Sequence, residues 1–216
     1  DYRMMDAATG YIRLTEFTIG AAREVESALR TLKEQGARSV VLDLRENPGG
    51  LLYEAVNVAN LFLPKDKEVV STRGKVKEYE KVYRTLNNPV DITMPVAVLV
   101  DTLSASAAEI VAGSLQDHDR AVLIGTRTYG KGLVQTTREL PFNGQLKITT
   151  ARYYIPSGRC IQALDYSKRN KDGSAIRTAD SLKVVFRTLG GRTVRDGGGL
   201  DPDIIIKQEA PGEFLF

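Results

Sequence analysis

The sequence predicts an α/β domain, on the strength of three short, nearly continuous apolar runs at residues 39–44, 95–101 and 121–125 that are separated by segments of helical periodicity. Each run ends in a loop rich in glycine or small residues. In open α/β sheets the crevice for a ligand lies beyond the carboxyl ends of the strands, so these three loops are where chemistry is expected.

The elements follow in order. Residues 11–17 alternate weakly, with Tyr11, Arg13 and Thr15 on one side and Ile12, Leu14 and Glu16 on the other, which suggests a strand. Val25, Ala28, Leu29 and Leu32 recur at helical spacing over 21–35, and Gly36 stands where a C-terminal cap belongs. The run at 39–44 reads as a strand buried on both faces. It feeds the tight loop Arg45-Glu-Asn-Pro-Gly-Gly50. A second helix starts near Leu51, carries Leu52, Ala55, Val56, Ala59 and Leu63 inward, and stops at Pro64. Residues 68–85 are β-rich and polar, which suggests an exposed hairpin or a flexible arm more than core. The strand at 95–101 is followed by a helix of small residues over 104–116, and the strand at 121–125 by a glycine-punctuated loop and strands near 133–140 and 145–154. Residues 165–199 are polar and Gly-rich and read as a surface insertion with a short helical stretch at 180–186, ahead of a last strand at 201–206. The whole of 1–216 is read as one domain, a size that buries a sizeable core.

Composition removes several classes of function. Lys+Arg 30 against Asp+Glu 27 gives a net charge of +3 without a basic block, so no nucleic-acid partner is implied. No apolar run reaches the roughly 18 residues of a membrane span, and the polar start at Asp1 is not a signal peptide. One cysteine, Cys160, forms no internal disulfide and leaves the compartment open. A zinc site fails because one His and one Cys cannot supply its usual ligands, and no other metal or cofactor is implied.

In the first loop, Asn47-Pro-Gly-Gly50 is either a plain tight turn or a place where backbone N–H groups can be aimed at an oxyanion. The second, Ser104-Ala-Ser-Ala-Ala-Glu109, opens a helix. Ser104 is expected to cap it, while Ser106 sits among alanines near the positive helix end, where it is a cap or a nucleophile. In the third, Gly125-Thr-Arg-Thr-Tyr-Gly-Lys-Gly132 nearly spells a phosphate loop, but Gly132 has no hydroxyl and the following Leu133-Val134 is strand-like where a phosphate loop opens a helix. Enclosure of Lys131 beside Leu133 and Val134 would disfavour its ammonium form and let it accept a proton. The single histidine, His118, lies 12 residues beyond Ser106, about 18 Å along one helix, too far for a Ser/His pair.

Taken together, Gly10-Tyr-Ile-Arg-Leu14, Val41-Leu-Asp-Leu-Arg-Glu-Asn-Pro-Gly-Gly-Leu51, Ser104-Ala-Ser-Ala-Ala-Glu-Ile110, Gly125-Thr-Arg-Thr-Tyr-Gly-Lys-Gly-Leu-Val-Gln135 and Gly198-Gly-Leu-Asp-Pro-Asp203 resemble, in order, the signatures of the C-terminal processing peptidases, also called tail-specific proteases. The resemblance implies a nucleophile at Ser106, a base at Lys131, 25 residues on, and an orienting Gln135. It implies oxyanion N–H groups from Gly49 or Gly50 and from Ala107. It further implies a crotonase-like or ClpP-like core of stacked ββα units with an added β-rich segment, unfolded or C-terminal polypeptide segments as substrate, and an extracytoplasmic, periplasmic-type location. Such peptidases carry a PDZ domain ahead of this core, and residues 1–10 contain nothing like one, so it is expected in the full-length protein. Two rivals share the loops: a non-catalytic peptide-binding scaffold, against which intact Ser106, Lys131 and Gln135 weigh, and an acyl-CoA enzyme, which would not need a serine matched to a lysine.

Overall fold

The computed structural model describes residues 1–206. Its elements run β1 (Tyr2–Met4), β2 (Thr9–Arg13), α1 (Ala21–Glu34), β3 (Ser39–Asp43), α2 (Leu52–Asn60), β4 (Glu68–Gly74), β5 (Lys81–Arg84), β6 (Val96–Val100), α3 (Ala107–Asp117), β7 (Ala121–Gly125), β8 (Leu133–Glu139) and β9 (Gln145–Tyr154). Five short strands follow: β10 (Leu164–Arg169), β11 (Ala175–Arg177), β12 (Val185–Arg187), β13 (Thr193–Arg195) and β14 (Ile204–Ile205).

Alternation of strand and helix builds a six-stranded sheet in the order β1-β2-β3-β6-β7-β14. It is parallel except for the β1–β2 pair. Val40 and Leu42, Val96, Val98 and Val100, and Leu123 point into one apolar core with Val25, Leu29 and Leu32 of α1 and with the buried faces of α2 and α3. The opposite face is not covered to the same degree. Val41, Ala97 and Leu99 are half-buried, and Val122 is 41% exposed, so the strand at 39–44 is fully buried on one face only. An uninterrupted apolar run cannot tell these cases apart, because the open face here is apolar too.

A second sheet, β5-β4-β9-β8, is antiparallel throughout. The hairpin expected at 68–85 is present, β4 pairing with β5, and its second half, 75–84, is mostly exposed; β4 itself is an interior strand, with Val69, Val70, Ser71 and Thr72 buried. The polarity that suggested exposure is absorbed by hydrogen bonds, since Thr72 Oγ1 donates to the carbonyl of Tyr79 at 2.5 Å and accepts from the amide of Lys81. All eleven residues of α3 are buried, and the helix packs against α2, β7 and β4, between the two sheets. That position explains its run of Ala, Gly and Ser: a helix enclosed all round has no polar face.

His118 caps the C-terminus of α3 and its Nε2 lies 2.7 Å from the carbonyl oxygen of Glu68, a structural role. Buried Arg159 pairs with buried Asp117 at 2.9 Å and donates to Gln116 Oε1 at 2.7 Å, which satisfies the charge where it lies. Within 165–199, β10–β11 and β12–β13 each form a two-stranded ribbon. The helical stretch expected at 180–186 is one 3-10 turn, Asp180–Leu182, followed by β12. The Val184-Val185-Phe186 run favours strand once packed in a ribbon.

Candidate active site

The three loops converge. Asn47, fully buried, braces the first: its Nδ2 donates to the Leu14 carbonyl at 2.7 Å, its Oδ1 accepts the Gly49 amide at 2.9 Å, and its own carbonyl accepts the Ala105 amide at 2.9 Å. This last bond ties the Gly-Gly loop to the serine loop. On its other side the loop is zipped to Phe17, whose amide donates to the Gly49 carbonyl and whose carbonyl accepts the Leu51 amide. Gly49 has φ +103, and a Cβ there would lie 2.7 Å from Ser106 Cβ, 2.8 Å from the Ala105 oxygen and 2.9 Å from the Ala107 nitrogen. Only a residue without a side chain lets this loop lie flat against Ser106.

Ser106 is half-buried and occupies the N-cap position of α3 with φ 56 and ψ −113, a conformation L-residues seldom adopt. Such strain, on the order of 1–3 kcal/mol, persists only where the surroundings dictate it and tends to collect at functional sites. Ser104 is not the cap. It is buried two residues ahead of the cap, where its Oγ donates to the Leu44 carbonyl at 2.7 Å and accepts the Asp101 amide at 2.9 Å, fastening the second loop to the end of β3. The helix begins later than expected because the 101–105 segment is held as a turn on Asp101 Oδ1.

Of the three expected oxyanion donors, Gly50 and Ala107 have amides with no hydrogen-bond partner among the described residues. Gly49 does not, because its amide is bonded to Asn47 Oδ1, which removes it as a donor. The Asx-turn at Asn47 takes the first glycine's N–H and leaves the second outward.

Lys131 lies on the same cluster but its side chain is exposed, and its ammonium has no hydrogen bond or ion pair among the described residues. The enclosure expected from Leu133 and Val134 is absent, since both are only half-buried and β8 is an edge strand. No hydrogen bond joins the Ser106 and Lys131 side chains. Gln135 is also exposed and makes no side-chain hydrogen bond among the described residues; it follows an irregularity in the β8–β9 register between Val134 and Gln135. The flanks of Lys131 are firmly held: Gly130, at φ +86, would place a Cβ 2.4 Å from Ala163 Cβ, and the Gly132 amide donates to Gln162 Oε1 at 2.8 Å.

The residue that joins serine to lysine is Glu109, fully buried on the first turn of α3. Its Oε2 accepts the amides of Ser106 at 3.0 Å and Lys131 at 2.8 Å; its Oε1 accepts the Gly130 amide at 2.7 Å and the Thr128 hydroxyl at 2.5 Å. Two amides on one oxygen put the Ser106 and Lys131 nitrogens within about 5.8 Å of each other, the sum of the two bonds. The four-carbon stem of lysine is as long as that gap. Burial pushes the Glu109 carboxyl above its ordinary pKa, against the four hydrogen bonds that favour the ionised form. From sequence, Glu109 reads as the third residue of a capping box, a signal for a helix start and not for a bridge between loops.

Asp43 and Arg45 stand at the end of β3. Burial would raise the Asp43 carboxyl, but hydrogen bonds from Arg45, at 2.6 and 2.9 Å, and from the Tyr11 hydroxyl, at 2.6 Å, outweigh it and hold it below the ordinary range.

Comparison with known proteins gives the family of the chain. Residues 8–167 match the peptidase family S41 profile. The carboxy-terminal-processing protease of Bartonella bacilliformis is 44% identical over 159 residues, covering 72% of this chain and 36% of that protein. The carboxyl-terminal-processing protease of Synechocystis is 43% identical over 157 residues, covering 73% and 36%. A solved structure, the photosystem II D1 C-terminal processing protease, aligns with a TM-score of 0.72 at 27% identity over 96% of this chain and 48% of that one. The chain spans about a third of the length of these two curated relatives. With 160 of its 216 residues matched and relatives above 40% identity, the chain belongs to peptidase family S41.

Proposed function

We propose that the chain is the catalytic core of a serine endopeptidase that cleaves unfolded or C-terminal polypeptide segments through a Ser106/Lys131 dyad. The observation that carries this reading is the packing of Gly49 against the strained Ser106 and the Ala107 amide, with the amides of Ala107 and of Gly50, the next residue of the loop, left without a partner among the described residues. Ser106 Oγ attacks the peptide carbonyl carbon while the neutral Lys131 amine takes its proton. The carbonyl oxygen, now negative, is received by the Gly50 and Ala107 amides at the positive end of α3. The tetrahedral species collapses, the Lys131 ammonium returns a proton to the leaving amine, and an ester on Ser106 remains. Water, deprotonated by the same lysine, hydrolyses that ester.

Lys131 must swing from solvent toward Ser106 for this to happen, and the shared Glu109 oxygen keeps its backbone within reach. In that pose Gln135 orients the amine. The relatives' names and the S41 match support the substrate class, and their greater length supports a PDZ domain elsewhere in the full-length protein. An extracytoplasmic location rests on the family resemblance. The finer fold assignment, a crotonase-like or ClpP-like core of stacked ββα units, draws support from the β1-β2-α1 and β5-β6-α3 successions.

Incubating the chain with an unstructured polypeptide and following fragments by mass tests the proposal. Ser106→Ala is expected to abolish cleavage, and so are Lys131→Met and Lys131→Arg, since a guanidinium does not surrender its proton. Retained cleavage in Ser106→Ala, or a parental rate in Lys131→Arg, refutes the dyad.

A further inference from the structure

Beyond Lys131, Leu133 and Gln135 line a groove of about 1000 Å³ walled by β4 and the loop after it, β8, β9 and the start of β10. Four cations line it, Arg73, Lys75, Arg138 and Arg152, and no Asp or Glu does. None of the four is in an ion pair among the described residues. This is unusual in a chain with 27 carboxylate side chains, where surface charges of opposite sign are ordinarily interspersed.

The β4–β9 register sets Arg73 directly opposite Arg152. Side chains so placed share one face of the sheet with their Cβ atoms about 5 Å apart, and like charges there repel. Arg73 is turned onto the ring of Tyr154, its guanidinium carbon 4.4 Å from the centroid, which steadies it over the groove without neutralising it. The fold therefore holds a like-charge pair with no carboxylate in ion-pair contact among the described residues. Carboxylates laid along the groove would balance it. The cations come from three places, β4 and the loop after it, β8 and β9, and this spread suits several carboxylates along an extended chain better than one terminal carboxylate.

We infer that this groove binds an acidic stretch of the polypeptide substrate, with Asp and Glu side chains set against Arg73, Arg152, Arg138 and Lys75; the inference rests on the peptidase reading above. Exposed cations act through screened fields, so the selectivity is strongest at low ionic strength. It belongs to binding more than to turnover.

The test uses two labelled, unstructured peptides of equal length, identical except that four Glu in one are Gln in the other. Binding to the Ser106→Ala chain is read by fluorescence anisotropy, and cleavage by the intact chain is read in competition. The Glu peptide is expected to bind about tenfold more tightly at low salt, with the gap closing as salt is added. The preference is expected to vanish in the Arg73→Gln/Arg152→Gln double variant. Its melting temperature should equal or exceed the parent's, because a repulsive pair has gone. Equal binding of both peptides, or a preference that survives in the double variant, overturns the inference. A preference that follows amidation of the peptide's C-terminus and ignores Glu content overturns it in favour of a terminal-carboxylate site. Selective binding with no cleavage by the intact chain sinks the peptidase reading and leaves the groove standing; equal cleavage with no selectivity does the reverse.

Discussion

Substituting Gly49 by alanine adds one carbon at the point where the first loop meets Ser106, the proposed nucleophile. That carbon would stand 2.7 Å from Ser106 Cβ, 2.8 Å from the Ala105 oxygen and 2.9 Å from the Ala107 nitrogen, inside the contact distance of all three. Two of these are backbone atoms, which cannot rotate away. A backbone at φ +103 also disfavours any L side chain, at about 1–3 kcal/mol. Gly173 offers the control, since it has φ +84 and nothing within 4 Å of its Cβ position, so Gly173→Ala meets the backbone term alone. Gly49→Ala is expected to unfold more easily than Gly173→Ala by a further 1–3 kcal/mol or so, the ordinary effect of overpacking. Its turnover is expected to fall by about 10²–10³, as when one oxyanion donor is lost, because relief comes by moving the Ala107 amide or Ser106 itself. Urea denaturation measures the first difference and initial rates on an unstructured polypeptide the second. If Gly49→Ala matches Gly173→Ala in both stability and rate, the loop does not rest on the nucleophile and the oxyanion assignment goes with it.

Ser104→Ala is expected to destabilise by about 1–3 kcal/mol through the Asp101 amide, which loses its acceptor, while cleavage continues, a result read from thermal unfolding beside a rate assay; a dead but stable variant would show that the chemistry was assigned to the wrong serine. Glu109→Gln places an amide NH₂ where two buried donors now point, which should cost about 1–3 kcal/mol for each lost bond and lower kcat more than it raises KM; unchanged kinetics in a folded variant would end the bridging role. Asp43 has a folded pKa below its unfolded one, so its stabilisation is fully present above the unfolded value of about 4 and is lost as pH falls below that, through the lower folded value. Arg45→Met should therefore be less stable at pH 7 by about 1–2 kcal/mol, discounted because Arg45 is half in water, and the gap to the parent should narrow below pH 4; a gap independent of pH would show that Arg45 does not act through Asp43.

Helix periodicity placed α1 within a residue, because Val25, Leu29 and Leu32 face the core along one stripe. The order of strand and helix that makes the six-stranded sheet was equally legible in its apolar runs. What stayed hidden depends on contacts across the sheets. Ser71 and Thr72 look like surface residues until their partners in β5 and β9 are known, and the open face of the six-stranded sheet, with Val41, Ala97, Leu99 and Val122, is apolar like the covered one. At the site, Ser106 and Lys131 are distinguishable by the family's interval, but the state of Lys131 is not: exposure is decided by what lies over β8, and nothing in the local sequence says that an edge strand leaves it open. Similarly Gly49 and Gly50 are equivalent as letters, and only the side chain of Asn47 makes one amide taken and the other free.

The carboxylate of Glu109 acts as a ruler. The backbones of Ser106 and Lys131 are held near each other by one shared oxygen atom, with the Tyr129 amide on the Ser104 carbonyl beside it, and not by the length of chain between them, so the spacing of the proposed dyad is insulated from the connection that runs through His118 and β7. Residues added to the turn at 118–120 would leave the distance between the two backbones untouched provided that Thr128, Gly130 and Lys131 still reach the same group. Shortening the side chain at 109 by one methylene, as in Glu109→Asp, changes no connection at all and yet draws both loops off their common point.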